Sequence, residues 1–347
     1  MPTLESATHA AGTSPASPQT RRTHLSRRRL LGAAAGGLLI APGSAWADAA
    51  YPGGPIRLIV GYAPGGAVDA AARIVAEMLR SGLGATVVVE NLSGAAGTIA
   101  AQRVVGSPAD GHTLLAGSSN ELAATAAVNP SQAYDPQRDL TAIALVGTAA
   151  ALWVASRKVG VASMGDCIAR VKRAPGRFSY GSPGVGSTLH FAGELLRQRA
   201  GLSMVHVPYR SAGALTSDLV SGDLDFAMVS PTAAAPLLRS GRIVALGITS
   251  ADRLPALPEV PALAEHRGLE RFEISGWMAL MAPQGLPPDI VARLRQLVRG
   301  GLADPAVRQR LAQIGTHAAA GDEDLARWIA DERARYAALA RFAHIRP

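Results

Sequence analysis

The chain has 347 residues, a formal net charge of +8, 48% hydrophobic and 4% aromatic residues, and one cysteine. Scattered basic residues without aromatic interleaving exclude a nucleic-acid footprint, and the lone Cys167 excludes an internal disulfide or a cysteine-built metal site. Five arginines and one glutamate in residues 1–47 carry +4 of the charge, so the remainder is only mildly basic, which suits an anionic ligand or solubility alone.

The first 47 residues read as an export signal. Ser26-Arg27-Arg28-Arg29-Leu30-Leu31 has the twin-arginine pattern, Leu30 to Ile40 is apolar, and Ala45-Trp46-Ala47 is a small-x-small cleavage site. That apolar run is too short for the roughly 30 Å of a bilayer core.

From there the rhythm is strand, turn, helix. Strands are predicted at Ile56–Val60, Thr86–Glu90 and His112–Ala116, with helices at Val68–Leu79 and Gly97–Val105. The pattern resumes with strands at Ser179–Gly181, Met204–Val207, Leu224–Val229 and Ile243–Thr249. Helices at Ser187–Arg199, Ala212–Val220 and Ala233–Arg239 separate them. Such alternation predicts an α/β fold of parallel βαβ units. After Pro283 the chain is mostly helical, with starts at Pro287-Pro288-Asp289 and Asp304-Pro305 and a long amphipathic helix over Asp322–Leu339. Cys167 falls on an apolar helix position, which predicts a buried structural thiol. Two long apolar stretches, Leu140–Val154 and Phe272–Met281, read as crossings between domains. They place domain 1 at 48–148 plus 273–347 and domain 2 at 149–272.

The chemistry concentrates where strands end. Pro64-Gly65-Gly66 stands between a strand and a helix, a geometry that suits an anion cradle or a plain tight turn. Asp69, in the first helical turn, reads as a cap, or as a contact for a ligand amine. Gly117-Ser118-Ser119-Asn120 ends the third strand, where ligands of open α/β sheets collect. Gly181-Ser182-Pro183-Gly184-Val185-Gly186-Ser187-Thr188 resembles a phosphate loop but has Ser187 where the lysine belongs, which argues against nucleoside triphosphates. His190, one turn further, faces a cleft or sits in the core. Arg210 pairs with a carboxylate or stays on the surface, and Ser230-Pro231-Thr232 repeats the strand-then-polar-turn theme. A Ser118–His190–Asp225 triad can be written on paper, but there is no Gly-x-Ser-x-Gly elbow and no zinc-helix histidine pair. Nothing in the residues argues for a metal or a redox cofactor.

Tyr51-Pro52, Pro55-Ile56-Arg57-Leu58-Ile59-Val60 and Pro64-Gly65-Gly66-Ala67-Val68-Asp69 together resemble the Bug-type receptors, periplasmic solute-binding proteins of tripartite tricarboxylate transporters. Val87-Val88-Val89-Glu90-Asn91, Pro108-Ala109-Asp110-Gly111-His112-Thr113-Leu114-Leu115 and Val205-His206-Val207-Pro208-Tyr209 are also similar to family segments, so the likeness runs over 51–347. It implies a two-lobed type II periplasmic binding protein, a Venus flytrap with two crossover hinge strands. It also implies a periplasmic, monomeric, non-enzymatic receptor that captures a small carboxylate and docks transiently on a membrane permease. A sensor partnered with a signalling kinase, or a periplasmic hydrolase, are the rival readings. The family's proximal carboxylate grip maps onto Pro64-Gly65-Gly66, and its opposing loop onto Ser182 to Thr188. The candidate ligand contacts are therefore Tyr62, Pro64, Gly65, Gly66, Ala67, Asp69, Ser118, Ser119, Ser182, Gly184, Gly186, Ser187, Thr188, Tyr209 and Ser230. Two departures stand out: Ala67-Val68 where relatives carry smaller or polar residues, and Asn91-Leu92-Ser93-Gly94 in place of an Asn-Arg-Pro segment.

Overall fold

The computed structural model describes residues 51–129 and 131–345, so the export-signal reading lies outside the described residues. The chain begins with β1 (Ile56–Val60), α1 (Ala67–Leu83), β2 (Val87–Asn91), α2 (Thr98–Val105) and β3 (Thr113–Ser118). A short helix, α3 (Pro136–Asp139), leads into β4 (Leu140–Ala149). Then come β5 (Leu152–Ser156), α4 (Met164–Arg173), β6 (Ser179–Ser182), α5 (Thr188–Ala200), β7 (Val205–Pro208), α6 (Ala212–Ser221), β8 (Phe226–Val229), α7 (Pro231–Arg239) and β9 (Ile243–Ile248). The last part holds β10 (Gly276–Pro283), α8 (Pro288–Ala303), α9 (Pro305–Gln313), β11 (His317–Ala318) and α10 (Leu325–Phe342).

These strands build two sheets, ordered β11-β4-β10-β3-β1-β2 and β7-β6-β8-β5-β9. β1 is apolar and buried except at Arg57, which pairs with Glu90 of β2, because parallel neighbours flank it and helices cover it. α1 places Asp69 in its first turn and Arg80 in its last, both favourable to the helix dipole, and ends on left-handed Gly84. In the second sheet Trp153 stacks on Phe226 with ring centroids 5.4 Å apart. Cys167 on α4 is fully buried, and burial pushes its thiol up to about 11.

Parallel pairing alone does not describe either sheet. β10 runs antiparallel to β3 and β4, and β5 antiparallel to β8 and β9. The reason is the crossings: a strand that arrives from the other sheet enters from the opposite end. The apolar stretch Leu140–Val154 is likewise two strands, β4 in one sheet and β5 in the next, parted at Ala150 and Ala151. Thr249 ties this junction together. Its N–H donates to the Ala151 carbonyl at 2.9 Å, its hydroxyl accepts from the Ala151 N–H at 2.8 Å, and its carbonyl accepts from the Ile274 N–H at 3.0 Å. Outgoing and returning passages are thus bonded side by side.

The C-terminal helices pack back over the molecule. α10 reaches the second sheet's helices: Tyr336 lies against Phe191 of α5, with ring centroids 4.9 Å apart. Among the described residues no helix is long and apolar enough to cross a membrane, and no histidine, cysteine or carboxylate cluster could hold a metal.

Candidate functional site

The turn after β1 is fixed by Asp69. Its carboxylate accepts the Gly65 N–H at 2.9 Å, Arg73 Nε and Nη2 at 2.9 and 3.0 Å, and Asn91 Nδ2 at 2.8 Å. Burial pushes the Asp69 carboxyl up, but the bonds from Arg73, Gly65 and Asn91 outweigh it and hold the group near 2. Asp69 is therefore a clamp on the turn rather than the N-cap, which is Gly66. Gly65 sits at φ +85°, a conformation that its lack of a Cβ permits. The first intrahelical bond of this end runs from Ala70 N–H to the Gly66 carbonyl. The N–H groups of Gly66, Ala67, Val68 and Asp69 precede it and have no partner within the helix.

That helix end opens on a cavity of about 150 Å³. Tyr62, Ala67, Val68 and Ala71 form one side; Ser118, Ser119, Asn120 and Thr188 form another. The remaining wall is Gly147 and Ala149 of β4, Gly276, Trp277 and Met278 of β10, and Thr316. No lining residue is cationic. Of the sequence-predicted contacts, Tyr62, Ala67, Ser118, Ser119 and Thr188 line the cavity. Pro64, Gly65 and Gly66 are exposed just before its Ala67 and do not line it, and Asp69 is buried and does not line it either.

Behind the cavity floor lies Glu121, fully buried in a π-helical turn over Asn120–Ala124. It accepts the Ser118 N–H and hydroxyl, both at 2.6 Å, and the Tyr62 hydroxyl at 2.8 Å. Burial raises its carboxyl above the usual range despite those bonds. Backbone closeness allows this convergence. A Cβ on Gly61 would stand 2.5 Å from Gly97 Cα, and one on Gly97 would stand 2.6 Å from the Glu121 carboxyl.

The second glycine loop is built differently. Its Gly186 N–H donates to His190 Nδ1 at 3.1 Å, its Ser187 N–H to the Gly184 carbonyl at 3.3 Å, and the Thr188 N–H to Asn120 Oδ1 at 3.0 Å. Ser187 caps α5 through the His190 N–H. Ser182 Oγ lies 2.7 Å from His206 Nε2. The loop is thus braced from within and from Asn120, and only Thr188 reaches the cavity. Tyr209 bonds Asp218, and Ser230 caps α7 through the Ala233 N–H; neither borders the cavity. The paper triad dissolves, because Ser118 is held by Tyr62 and Glu121, Asp225 by Ser179, and His190 by Gly186.

His190 is a core histidine, stacked on His206 with centroids 3.8 Å apart. Burial, then Arg197, lowers His190 to about 4; burial, His190 and Arg197 lower His206 to about 3. Both folded values lie below the ordinary 6.5, so the pair's contribution is complete above that pH and is lost as pH falls toward the folded values. Urea midpoints are expected to drop as pH goes from about 7 to about 4.5, and to drop less in His206→Gln, which cannot charge. Parallel profiles for the two proteins would remove the histidines from the acid response.

The model of the tripartite tricarboxylate transporter family receptor matches residues 71–343. The chain belongs to that receptor family. BugT of Bordetella pertussis is 36% identical over 293 residues, 84% of this chain and 90% of that protein. R. palustris Rpa4515 with adipate superposes with a TM-score of 0.76 at 31% identity, covering 86% of this chain and 99% of that one. MatC from Rhodopseudomonas palustris with bound malate gives 0.71 at 30% identity, covering 83% and 99%. The two-lobed type II fold of the periplasmic binding proteins is therefore the fold of this receptor.

Sequence reasoning missed part of the receptor's cavity: Gly147, Ala149, Gly276, Trp277, Met278 and Thr316. They belong to the crossing strands and to the approach to β11, read earlier only as links or not at all. Gly147 and Gly276 were the available signal, since a glycine inside a strand marks close approach of backbone or ligand. At Gly147 the approaching group is the His317 carbonyl, 2.4 Å from where a Cβ would sit.

Proposed function

We propose that this receptor is exported to the periplasm by the twin-arginine route, captures a small carboxylate between its lobes, and presents it to a membrane permease. Its lobes are 48–148 plus 273–347 and 149–272, and it acts as a monomer without cofactor. The observation that carries the reading is the start of α1. There the N–H groups of Gly66, Ala67, Val68 and Asp69 have no place in the helix ladder, and Ala67 and Val68 line a cavity without any cation. Charge-assisted bonds of this kind contribute about 1.5–3 kcal/mol each. The bound adipate and malate of two relatives support the ligand chemistry. Tyr62, Ser118, Ser119 and Thr188 shape the cavity, while the Ser182–Ser187 loop supports it from the second lobe.

Calorimetry of the exported protein against adipate, malate, citrate, glutamate, hexanoate and benzoate tests this. At least one is expected to bind at one-to-one stoichiometry and to be recovered unchanged. Turnover of a bound acid, or binding of none of the six, would overturn the reading.

A further inference from the structure

The two lobes do not offer equal grips, and the difference identifies the ligand class. The proton donors of the wall facing α1 form a directed chain. Thr188 gives both its N–H and its hydroxyl to Asn120 Oδ1, each at 3.0 Å, so the 2.8 Å contact between Ser119 and Thr188 has Ser119 as donor. The Trp277 N–H in turn points to Ser119 Oγ at 3.4 Å. Asn120 Nδ2 donates to Tyr62 Oη at 3.1 Å. Tyr62 has one proton and three protein acceptors: Glu121 Oε2 and Ser118 Oγ at 2.8 Å and the Ala96 carbonyl at 3.1 Å. Ser118 is committed to Glu121.

Two neutral donors are left on this wall, the Thr316 hydroxyl and the second N–H of Asn120. They suit a ligand hydroxyl or carbonyl. A second ionised carboxylate there would meet no cation, and the one α5 N–H that borders the cavity, that of Thr188, is already taken by Asn120. The other surfaces it would touch are those of Val68, Ala71, Ala149, Trp277 and Met278.

Building on the proposed carboxylate capture, we propose that the ligand is a monocarboxylate with an apolar body, its single carboxylate on the α1 amides. Asn120 is the positioning residue that enforces this, because it takes the α5 N–H nearest the cavity, that of Thr188, away from a second anion.

The test compares acids that differ only by a second carboxylate: hexanoate with adipate, and benzoate with terephthalate. Calorimetry is expected to show the monocarboxylate of at least one pair bound about 10–100-fold more tightly. Asn120→Ala uncovers the Thr188 N–H, so the ratio should move toward the dicarboxylate by at least about fivefold. Equal or tighter binding of both dicarboxylates by the unaltered protein overturns the inference while leaving carboxylate capture standing. An unchanged ratio in Asn120→Ala removes Asn120 from the selection. If none of the four acids nor any other carboxylate of the panel binds, the inference and the capture reading both fall.

Discussion

Gly66→Pro is expected to weaken carboxylate binding by about 10–100-fold, the worth of one charge-assisted hydrogen bond. The substitution is clean for a structural reason. Gly66 has φ −76°, within the range that a proline ring holds, and a Cβ there would meet nothing nearer than the Ala63 carbonyl at 3.6 Å. The residue before it is Gly65, which has no Cβ to clash with the ring. What disappears is the N–H itself, at the helix end where the partial positive charge lies. Ala67 and Val68 keep theirs, so binding should weaken rather than vanish. The measurement is calorimetry with the tightest acid of the panel, beside a urea curve showing the fold intact. Unchanged affinity would sink the α1 cradle.

Gly97→Ala should have the largest effect on stability, about 2–4 kcal/mol, which lowers the melting temperature by about 4–10 °C. Two penalties combine. Gly97 sits at φ +90°, where an L side chain is strained, and its Cβ would stand 2.6 Å from the Glu121 carboxyl. That carboxyl cannot step aside without releasing the Ser118 N–H, the Ser118 hydroxyl and the Tyr62 hydroxyl together. Gly53→Ala is the matched control, since nothing lies within 4 Å of its Cβ, and should stay within about 0.5 kcal/mol. If Gly97→Ala melts with the unaltered protein, Glu121 is not pinned and the cavity floor is softer than its bonds suggest.

Much of the fold was legible because its signals are local. β1, the glycine turn and α1 follow from an apolar run, two small residues and helical periodicity within a short window, and each lies within two or three residues of expectation at its start. The helices after β6, β7 and β8 were expected from periodicity, whereas their caps Ser187, Ser211 and Ser230 were not read as caps. Strand direction was not, because whether β10 or β5 runs with or against its neighbours depends on which end of a sheet the crossing chain reaches.

The candidate site divides along the same boundary. The α1 end could be found from the order of residues. The closure of the α5 end could not, since the acceptor over Thr188 belongs to Asn120, 68 positions away in the chain. Glu121 was hidden too. In Gly117-Ser118-Ser119-Asn120-Glu121 a carboxylate after a polar turn reads as solvent-facing, and only the π-helical turn rotates it inward. Asp69 shows the middle case: its place in the first turn was plain, but its clamp on Gly65 needs Arg73 and Asn91 in space.

Cys167 has a practical consequence for testing whether the proposed lobes move. Its thiol is fully buried on α4, with its pKa raised by that burial, so little nucleophilic thiolate is within reach of a maleimide. Dye pairs can therefore be attached at cysteines introduced one on each lobe, with the native thiol left in place as part of the core. Distances between such dyes, read with and without an acid, would then test whether the proposed capture closes the lobes.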